Sequence, residues 1–315
     1  MEQEKKKLVT ILVPAYNEQE VLHLLYDRLE KLMNENTNYD FEVLLVNDGS
    51  KDKTFEIMQE LREKDKRFCY LNLSRNFGKE TAMIAGLDYC KGDAVVIIDA
   101  DLQDPPELIP EMIKYWEEGY DDVYAKRKSR EGETWLKKFT SKMYYRVLQG
   151  FTRIEIQKDT GDFRLVDKKV VDVINSLPEH NKFLRGLFSW VGFEQYEYEY
   201  ERKERYAGKT KYPLKKMLKL ASDGIIGFST KPIKVIGGFG ITFVIVSIVI
   251  LLYFILSKIF GWTNMVKGWT SIMFATTFVG GIVLLSLWII GEYLVRIYDE
   301  AKQRPQYIIK KKINI

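Results

Sequence analysis

Two long apolar runs without a charged residue lie in the last third of the chain. The first covers residues 235–257 and the second covers residues 270–291. A helix rises about 1.5 Å per residue, so each run is long enough to cross a hydrocarbon core of about 30 Å. A pair of buried core helices is the alternative, but soluble cores do not need uninterrupted apolar runs of this length. The sequence therefore predicts a two-helix transmembrane hairpin attached to a soluble domain.

Basic residues flank this hairpin unequally. They cluster before the first run and after the second, whereas the intervening loop contains only Lys258 and Lys267. Positively charged flanks stay on the cytoplasmic side, so we expect a multi-pass protein of the cell membrane whose soluble domain and both termini are cytoplasmic. Residues 1–7 are mostly charged, so no signal peptide is expected.

The composition excludes several other classes of protein. Lys and Arg total 48 against 44 Asp and Glu, a net charge of +4, and 46% of the residues are hydrophobic. A disordered chain would need lower hydrophobicity and a larger net charge, and a nucleic-acid-binding domain would show a basic excess. Cys69 and Cys90 have no metal-binding spacing, so neither a zinc site nor a disulfide framework is expected.

The first 130 residues alternate short apolar runs with amphipathic helical stretches, which is typical of an α/β domain with a mainly parallel sheet. The predicted strands cover residues 8–13, 41–46, 69–73, 94–98 and 122–125. The predicted helices cover residues 18–33, 54–64, 79–89 and 106–118. We expect four segments along the chain: the α/β core (1–130), a juxtamembrane region (131–232), the hairpin (233–295) and a cytoplasmic tail (296–315).

The juxtamembrane region carries two basic amphipathic helical patterns, at residues 134–149 and 214–230. Beside a hairpin they favour helices that lie on the membrane surface. For the first pattern, a core-facing helix with a solvated basic side is the alternative. Residues 193–200 alternate aromatic and acidic side chains, which predicts a half-exposed strand, and residues 206–212 predict a basic loop.

A polar cluster follows each of the first four predicted strands. Ligands of open α/β sheets bind beyond the carboxyl ends of the strands, so we expect these loops to form one crevice. Taken singly, a cluster such as Asn-Asp-Gly-Ser is also ordinary turn chemistry. The clusters are PAYNE (14–18), NDGS (47–50), SRNFG (74–78) and DADLQD (99–104).

Three acids, Asp99, Asp101 and Asp104, directly follow the fourth predicted strand. Carboxylates at i and i+2 beyond a strand are able to face one ligand, and hard oxygen donors suit Mg²⁺ or Mn²⁺ held together with substrate phosphates. The alternative is that they cap the helix beginning near Pro106, which Asp104 is well placed to do. The pattern favours metal binding for Asp99 and Asp101.

Other catalytic motifs are missing. The sequence has no GxGxxG, GxxxxGK[S/T] or GxSxG, so dinucleotide, P-loop and serine-hydrolase sites lose their main support. The two histidines, His23 and His180, lie in an early predicted helix and in a loop, and neither suits a general base.

Four motifs in this order resemble glycosyltransferase family 2: VPAYNE (13–18), VNDGS (46–50), DADLQDPPE (99–107) and TGDFRL (160–165). With the hairpin, the chain is similar to the bacterial polyprenyl-phosphate (bactoprenol) glycosyltransferases and to dolichol-phosphate mannose synthases. The resemblance implies a GT-A type nucleotide-diphosphosugar transferase domain. It also implies an inverting enzyme that moves one hexose from a nucleotide diphosphate sugar, with a UDP-sugar favoured, to undecaprenyl phosphate.

The resemblance leaves alternatives open. The same fold serves GDP-mannose donors and other lipid acceptors such as diacylglycerol, and a membrane-anchored partner without catalysis is a further alternative. Processive polysaccharide synthases of the family carry a QxxRW motif that is absent here, which favours transfer of a single sugar.

The family motifs also imply roles position by position. The residues expected to bind the nucleotide sugar are Pro14, Tyr16, Glu18, Asp48 and Asp99. Those expected to hold Mg²⁺ or Mn²⁺ are Asp101 and Gln103. Those expected at the reacting centre are Asp101, Asp162 and Arg164. Those expected to bind the acceptor phosphate are Arg127, Arg164, Arg205, Lys209 and Lys211.

A phosphate acceptor changes what such a site must do. A phosphate monoester has a second pKa of about 6, so it is largely an anion at neutral pH without a base. We therefore expect Asp162 to orient the substrates or to assist weakly. The site must bring two anionic substrates together, which calls for cations beside the metal. Solvated surface charge is the alternative for each basic residue.

The chain ends in RPQYIIKKKINI (304–315). Tyr307, Ile308 and Ile309 are β-formers, and a short strand without a core of its own exposes unpaired N–H and C=O groups. We expect this tail to pair with the sheet edge of a neighbouring copy in a homo-oligomer, and the family resemblance implies a tetramer. A frayed basic tail on lipid headgroups is the alternative.

Overall fold

The computed structural model describes residues 6–127, 160–179, 182–200 and 268–313, together with the single positions 242, 256 and 260. In these residues, eight strands form one sheet with the order β7-β5-β6-β4-β1-β2-β3-β8. β6 and β8 run antiparallel to their neighbours, and the other neighbouring strands are parallel. The strands are β1 (Leu8–Ala15), β2 (Asp40–Asn47), β3 (Phe68–Leu73), β4 (Ala94–Ile97), β5 (Asp122–Arg127), β6 (Thr160–Asp167), β7 (Gln195–Tyr200) and β8 (Ile309–Ile313).

Helices alternate with the strands along the chain. They are α1 (Leu22–Glu35), α2 (Thr54–Lys64), α3 (Lys79–Tyr89), α4 (Ile109–Glu117), α5 (Lys168–Ser176), α6 (Leu184–Trp190) and α7 (Trp269–Lys302), and a 3₁₀ turn at Pro106–Leu108 precedes α4.

Helices cover both faces of the sheet, so two apolar cores form. One core lies between the sheet and helices α1, α2 and α4, and the other lies between the sheet and helices α3, α5 and α6. β1 shows the required alternation, because Ile11 and Val13 face the first core whereas Leu12 faces the second. Burial on both faces explains why these strands are continuous apolar runs in the sequence.

The predicted elements of the first 130 residues are all present, and the α/β fold with a largely parallel sheet is confirmed. The predicted strand at 193–200 is present as β7. The largest difference at a boundary is that α1 begins at Leu22 rather than at residue 18. Residues 17 and 18 are held in a loop, since Asn17 N donates to Ser50 Oγ (3.0 Å) and Glu18 N donates to Thr54 Oγ1 (2.8 Å).

α7 contains the second apolar run. An 18-residue window within its segment Phe278–Lys302 has a mean hydropathy of 2.0, and α7 is the one helix among the described residues that is long and apolar enough to cross a membrane. The first run at 235–257, the amphipathic patterns at 134–149 and 214–230 and the loop at 206–212 lie outside the described residues. The hairpin and its orientation therefore stay predictions.

The tail after α7 forms a strand, but its partner differs from the one we expected. β8 pairs antiparallel with β3 of the same chain, and Ser74 N donates to Ile308 O (2.8 Å). Gln306 Nε2 donates to Glu179 O (2.7 Å) and the Tyr307 hydroxyl donates to Asp88 Oδ2 (2.7 Å), so contacts just before β8 bring the tail to its own sheet edge. β8 therefore has a hydrogen-bonded neighbour within its own chain and does not need a strand from a neighbouring copy.

Candidate active site

Hydrogen bonds join the loops after β1 and β2 at the carboxyl edge of the sheet. Asn17 adopts a left-handed conformation (φ 55°), and its side-chain oxygen accepts from Lys51 N (2.9 Å). Pro14 is buried within β1, opposite Val46 of β2, whereas Tyr16 and Glu18 are half-buried in the loop that follows. Three of the residues expected to bind the nucleoside therefore lie at one edge, as the strand-end argument predicted.

Asp48 directly follows β2 and is buried. One carboxylate oxygen accepts from Phe77 N (2.7 Å), and the other accepts from Gly78 N (3.0 Å) and Asn76 Nδ2 (2.9 Å). Burial raises the pKa of Asp48, although the two backbone N–H groups oppose this effect. Both oxygens therefore help to hold the loop at 76–78 in place, and the expected contact of Asp48 with the nucleoside stays a prediction.

The loop after β2 requires glycine at position 49. The φ of Gly49 is +63°, and a Cβ there would lie 2.3 Å from the backbone carbonyl carbon of Arg75. The loop after β3 therefore packs directly against the loop after β2, which only glycine permits.

Asp99 and Asp162 lie side by side at the same edge, joined by Lys79. Both oxygens of Asp99 contact Lys79 Nζ (2.6 and 2.8 Å), and Asp162 Oδ2 lies 2.5 Å from the same nitrogen. Asp162 Oδ1 accepts from Arg185 Nε (2.6 Å). The sequence analysis missed Lys79, although it directly follows the cluster at 74–78, and it missed Arg185, for which the sequence carried no signal.

These contacts fix the ionisation of Asp162. Burial alone would raise the pKa of Asp162, but the charges and hydrogen bonds of Arg185 and Lys79 outweigh it and hold that pKa well below its usual range. The two carboxylates in turn raise the pKa of Lys79 despite its burial. Asp162 is therefore an anion throughout the physiological range, which makes it a weak general base.

Glu80 is a further acid beside this cluster, and the sequence analysis did not identify it. Burial raises the pKa of Glu80 to about 7 and the charge of Asp162 adds to the effect, whereas Arg185 and Lys79 oppose it. Its carboxylate faces Leu184 N at 3.4 Å, next to Arg185 at the start of α6. It is the group near Asp162 whose charge changes close to neutral pH.

Arg164 lies deeper in the fold than the sequence analysis expected. Its side chain is 1% exposed, Nη1 donates to Asp122 Oδ2 (3.0 Å), and the guanidinium lies 4.3 Å from the centroid of the Phe188 ring. Gln195 Nε2 donates to the same Asp122 oxygen (2.7 Å). Arg164 shares a sheet face with Asp162 but lies two residues, about 6.6 Å, further from the edge. This burial favours a supporting role for Arg164 in β6, and its expected roles at the reacting centre and on the acceptor phosphate stay predictions.

The acids after β4 have separate environments. Asp101 is half-buried and accepts from Gln103 N (3.2 Å) across a turn in which Leu102 is left-handed (φ 58°). Asp104 is buried and accepts a hydrogen bond from the Tyr200 hydroxyl.

The donor set suits a divalent ion shared with a substrate. Asp99, Asp101 and Gln103 offer hard oxygen atoms at one strand end, as Mg²⁺ or Mn²⁺ requires. No three His, Cys, Asp or Glu side chains within the described ranges form a complete metal site. These residues fit an ion that takes its remaining ligands from phosphate oxygens.

The remaining basic residues predicted for the site are only partly described. Arg127 closes β5 opposite Tyr200 of β7, at the same carboxyl edge as Asp99. Arg205, Lys209 and Lys211 lie outside the described residues.

Comparison with known proteins places the chain in a family. The sequence model of Glycosyl transferase family 2 matches residues 10–174. The uncharacterized glycosyltransferase YkcC of Bacillus subtilis (strain 168) is 52% identical over 306 residues, which cover 97% of this chain and 94% of that protein. The SfII prophage-derived bactoprenol glucosyl transferase of Shigella flexneri is 40% identical over 304 residues, 96% of this chain and 97% of that protein.

A solved structure gives a more distant likeness. Glucosyl-3-phosphoglycerate synthase from Mycobacterium tuberculosis, in complex with Mn²⁺, uridine-diphosphate-glucose and phosphoglyceric acid, is 18% identical, with a TM-score of 0.46 over 70% of this chain and 78% of that one. The family assignment rests on the sequence matches, which extend over nearly the whole chain. This chain belongs to glycosyl transferase family 2 and is a glycosyltransferase.

Proposed function

We propose that this glycosyltransferase moves a single hexose from a nucleotide diphosphate sugar to undecaprenyl phosphate at the cytoplasmic face of the cell membrane. The observation that carries the proposal is the 40% identity, over nearly the full length of both chains, with a bactoprenol glucosyl transferase. The apolar helix α7 supports a lipid acceptor, because Phe278–Lys302 is long enough to reach across a bilayer.

On the donor side, Pro14, Tyr16 and Glu18 would line the nucleoside crevice, and a UDP-sugar is the favoured donor. Asp99 would bind the nucleotide sugar, and Asp101 with Gln103 would hold Mg²⁺ or Mn²⁺. A bound divalent ion would neutralise the charge that develops on the departing diphosphate.

The acceptor side of the site needs positive charge to bind the lipid phosphate more than it needs a general base. The lipid phosphate is already an anion at neutral pH, so it can attack the anomeric carbon from the face opposite the diphosphate and invert the configuration. An Asp162 that is itself ionised is well suited to holding cations in place. Arg127, Arg205, Lys209 and Lys211 stay proposed contacts of the acceptor phosphate.

Membrane attachment and assembly complete the proposal. The basic flanks of the two apolar runs favour cytoplasmic termini, and the basic amphipathic patterns favour contact with membrane lipid. A homo-oligomer, with a tetramer favoured, stays proposed, and β8 pairing within one chain means that other surfaces would hold the copies together.

The test is a transfer assay with the full-length protein in detergent. A panel of nucleotide sugars is offered with undecaprenyl phosphate and Mg²⁺ or Mn²⁺, and EDTA should stop the reaction. Asp101→Ala should retain less than a tenth of the activity, a barrier increase above about 1.4 kcal/mol, whereas Asp172→Ala, an exposed acid on α5, should match the wild type.

Each other outcome contradicts part of the proposal. Transfer to diacylglycerol but not to the lipid phosphate would overturn the acceptor, and transfer from GDP-mannose alone would overturn the donor. Absence of transfer and of donor hydrolysis with every pair would favour a partner without catalysis. Full activity of Asp101→Ala would remove the metal site.

A further inference from the structure

We infer that Lys79 and Arg185 also bind the phosphate of the lipid acceptor, and that Asp162 positions these two cations. The inference rests on the proposed function, since it names the groups that would hold the acceptor proposed there.

Exposure separates the three side chains. Lys79 is 32% exposed and Arg185 is 31% exposed, whereas Asp162 is 6% exposed. Lys79 Nζ and Arg185 Nε contact different oxygens of the Asp162 carboxylate, at 2.5 and 2.6 Å. An anion that approaches this edge therefore meets the two cations before it meets the carboxylate beneath them.

Sheet order places Asp162 and Arg185 on the side of β4 away from the nucleoside loops. The loops expected to hold the nucleoside follow β1 and β2, on one side of β4. Asp162 lies near the start of β6, the neighbour of β4 on the opposite side, and Arg185 lies on α6. Lys79 spans the boundary, because it contacts both Asp99 and Asp162. A phosphate held here would lie beside the donor-side acid, as transfer between two bound substrates requires.

The chemistry of the two cations fits a phosphate monoester. A guanidinium presents several N–H groups in a planar fork that matches phosphate oxygens, and an ammonium adds a compact charge. Lys79 is also the first residue of α3, where the helix dipole adds partial positive charge. Arg164, which the family motif suggested for this task, is paired with Asp122 inside the fold.

Binding of farnesyl phosphate and of farnesol is compared by calorimetry in EDTA without donor. The wild type should bind the phosphate at least tenfold more tightly than the alcohol, and Lys79→Gln and Arg185→Gln should each lose most of that difference. Lys79→Arg and Arg185→Lys should retain part of it. Lys169→Gln, an exposed lysine paired with Asp121 at the other end of the sheet, should behave as the wild type.

Kinetics separate the acceptor from the donor. Arg185→Gln should raise the acceptor KM at least tenfold and leave the donor KM within about threefold of the wild type. Lys79→Gln should also raise the acceptor KM at least tenfold, and by more than it raises the donor KM, because Lys79 also contacts Asp99. A raised donor KM with an unchanged acceptor KM would assign these cations to the diphosphate and overturn the inference. Equal binding of farnesyl phosphate and farnesol by the wild type would also overturn it, whereas phosphate-selective binding without any transfer would fail only the proposed function.

The positioning role of Asp162 has its own readout. The rate should rise with pH through about 6 as the acceptor loses its second proton, and Asp162→Asn should lower kcat while keeping that rise. Loss of the rise in the variant would make Asp162 the base and would contradict the positioning role.

Discussion

Arg164 allows a direct test of whether a basic residue of the TGDFRL motif binds substrate or supports the fold. It is fully buried against Asp122 and the Phe188 ring, and burial raises the pKa of Asp122 although the Arg164 charge and the Gln195 hydrogen bond oppose this. Removing one partner of such a pair leaves a buried charge unpaired, which costs about 3–5 kcal/mol. A domain of 150–250 residues loses about 2–4 °C of Tm per kcal/mol. Arg164→Gln should therefore lower the Tm by about 6–20 °C, measured by differential scanning fluorimetry.

A matched control separates burial from the loss of an arginine. Arg28→Gln removes the ion pair with Glu107, whose side chain is 59% exposed, and exposed pairs contribute about 0–1 kcal/mol. Its Tm should fall by less than about 4 °C. Combining Arg164→Met with Asp122→Leu removes both buried charges together and should recover most of the lost stability.

The opposite pattern would refute this assignment. If Arg164 binds the acceptor phosphate, Arg164→Gln should keep the wild-type Tm and raise the acceptor KM more than tenfold. The role given to Asp122 would then be wrong as well. If Arg164 left Asp122 to bind substrate, other groups would have to donate hydrogen bonds to the Asp122 carboxylate.

Two further predictions concern the crevice and its charge. Gly49→Ala should destabilise the domain by about 1–3 kcal/mol in chemical denaturation, because its Cβ would lie 2.3 Å from the Arg75 backbone. Gly119 also has a positive φ (+109°), but no atom lies within 4 Å of a Cβ built there, so Gly119→Ala should lose less free energy of unfolding. Glu80 loses its proton as the pH rises through about 7, which adds negative charge beside Arg185. The acceptor KM of the wild type should therefore increase above pH 7. An increase of equal size in Glu80→Gln would contradict this.

The parallel strands of the sheet were predictable because burial on both faces produces an apolar run that is recognisable in the sequence. Strands such as β1 and β2 are covered on both faces, so their sequences are continuous apolar runs bounded by polar turns. The start of α1 was not predictable, since helical periodicity continues through residues that the neighbouring loop holds in another conformation. Hydrogen bonds between loops distant in sequence leave no periodic pattern.

The site was predictable where a motif and a strand end coincide. Asp99 was identified because it belongs to a motif at the end of a predicted strand. Asp162 was identified from the family motif TGDFRL alone, since the strand β6 that carries it was not predicted. Arg185 was not identified, since it reaches Asp162 only through the packing of α6 against the sheet. Arg164 was assigned to phosphate because it neighbours Asp162 in the motif, and its burial within the sheet could not be read from the motif.

The reversed direction of β6 is what brings the two acids together. β4 runs toward the carboxyl edge and β6 runs away from it, so the end of one strand meets the start of the other. Ile97 pairs with Arg164, and continuing this register by two residues in opposite directions places Asp99 level with Asp162. α3 also begins at this edge, which is why Lys79 reaches both carboxylates. A slip of one residue in β6 would direct Asp162 to the opposite face and turn Phe163 toward Lys79. The register of this one antiparallel pair therefore determines whether the cluster can form at all.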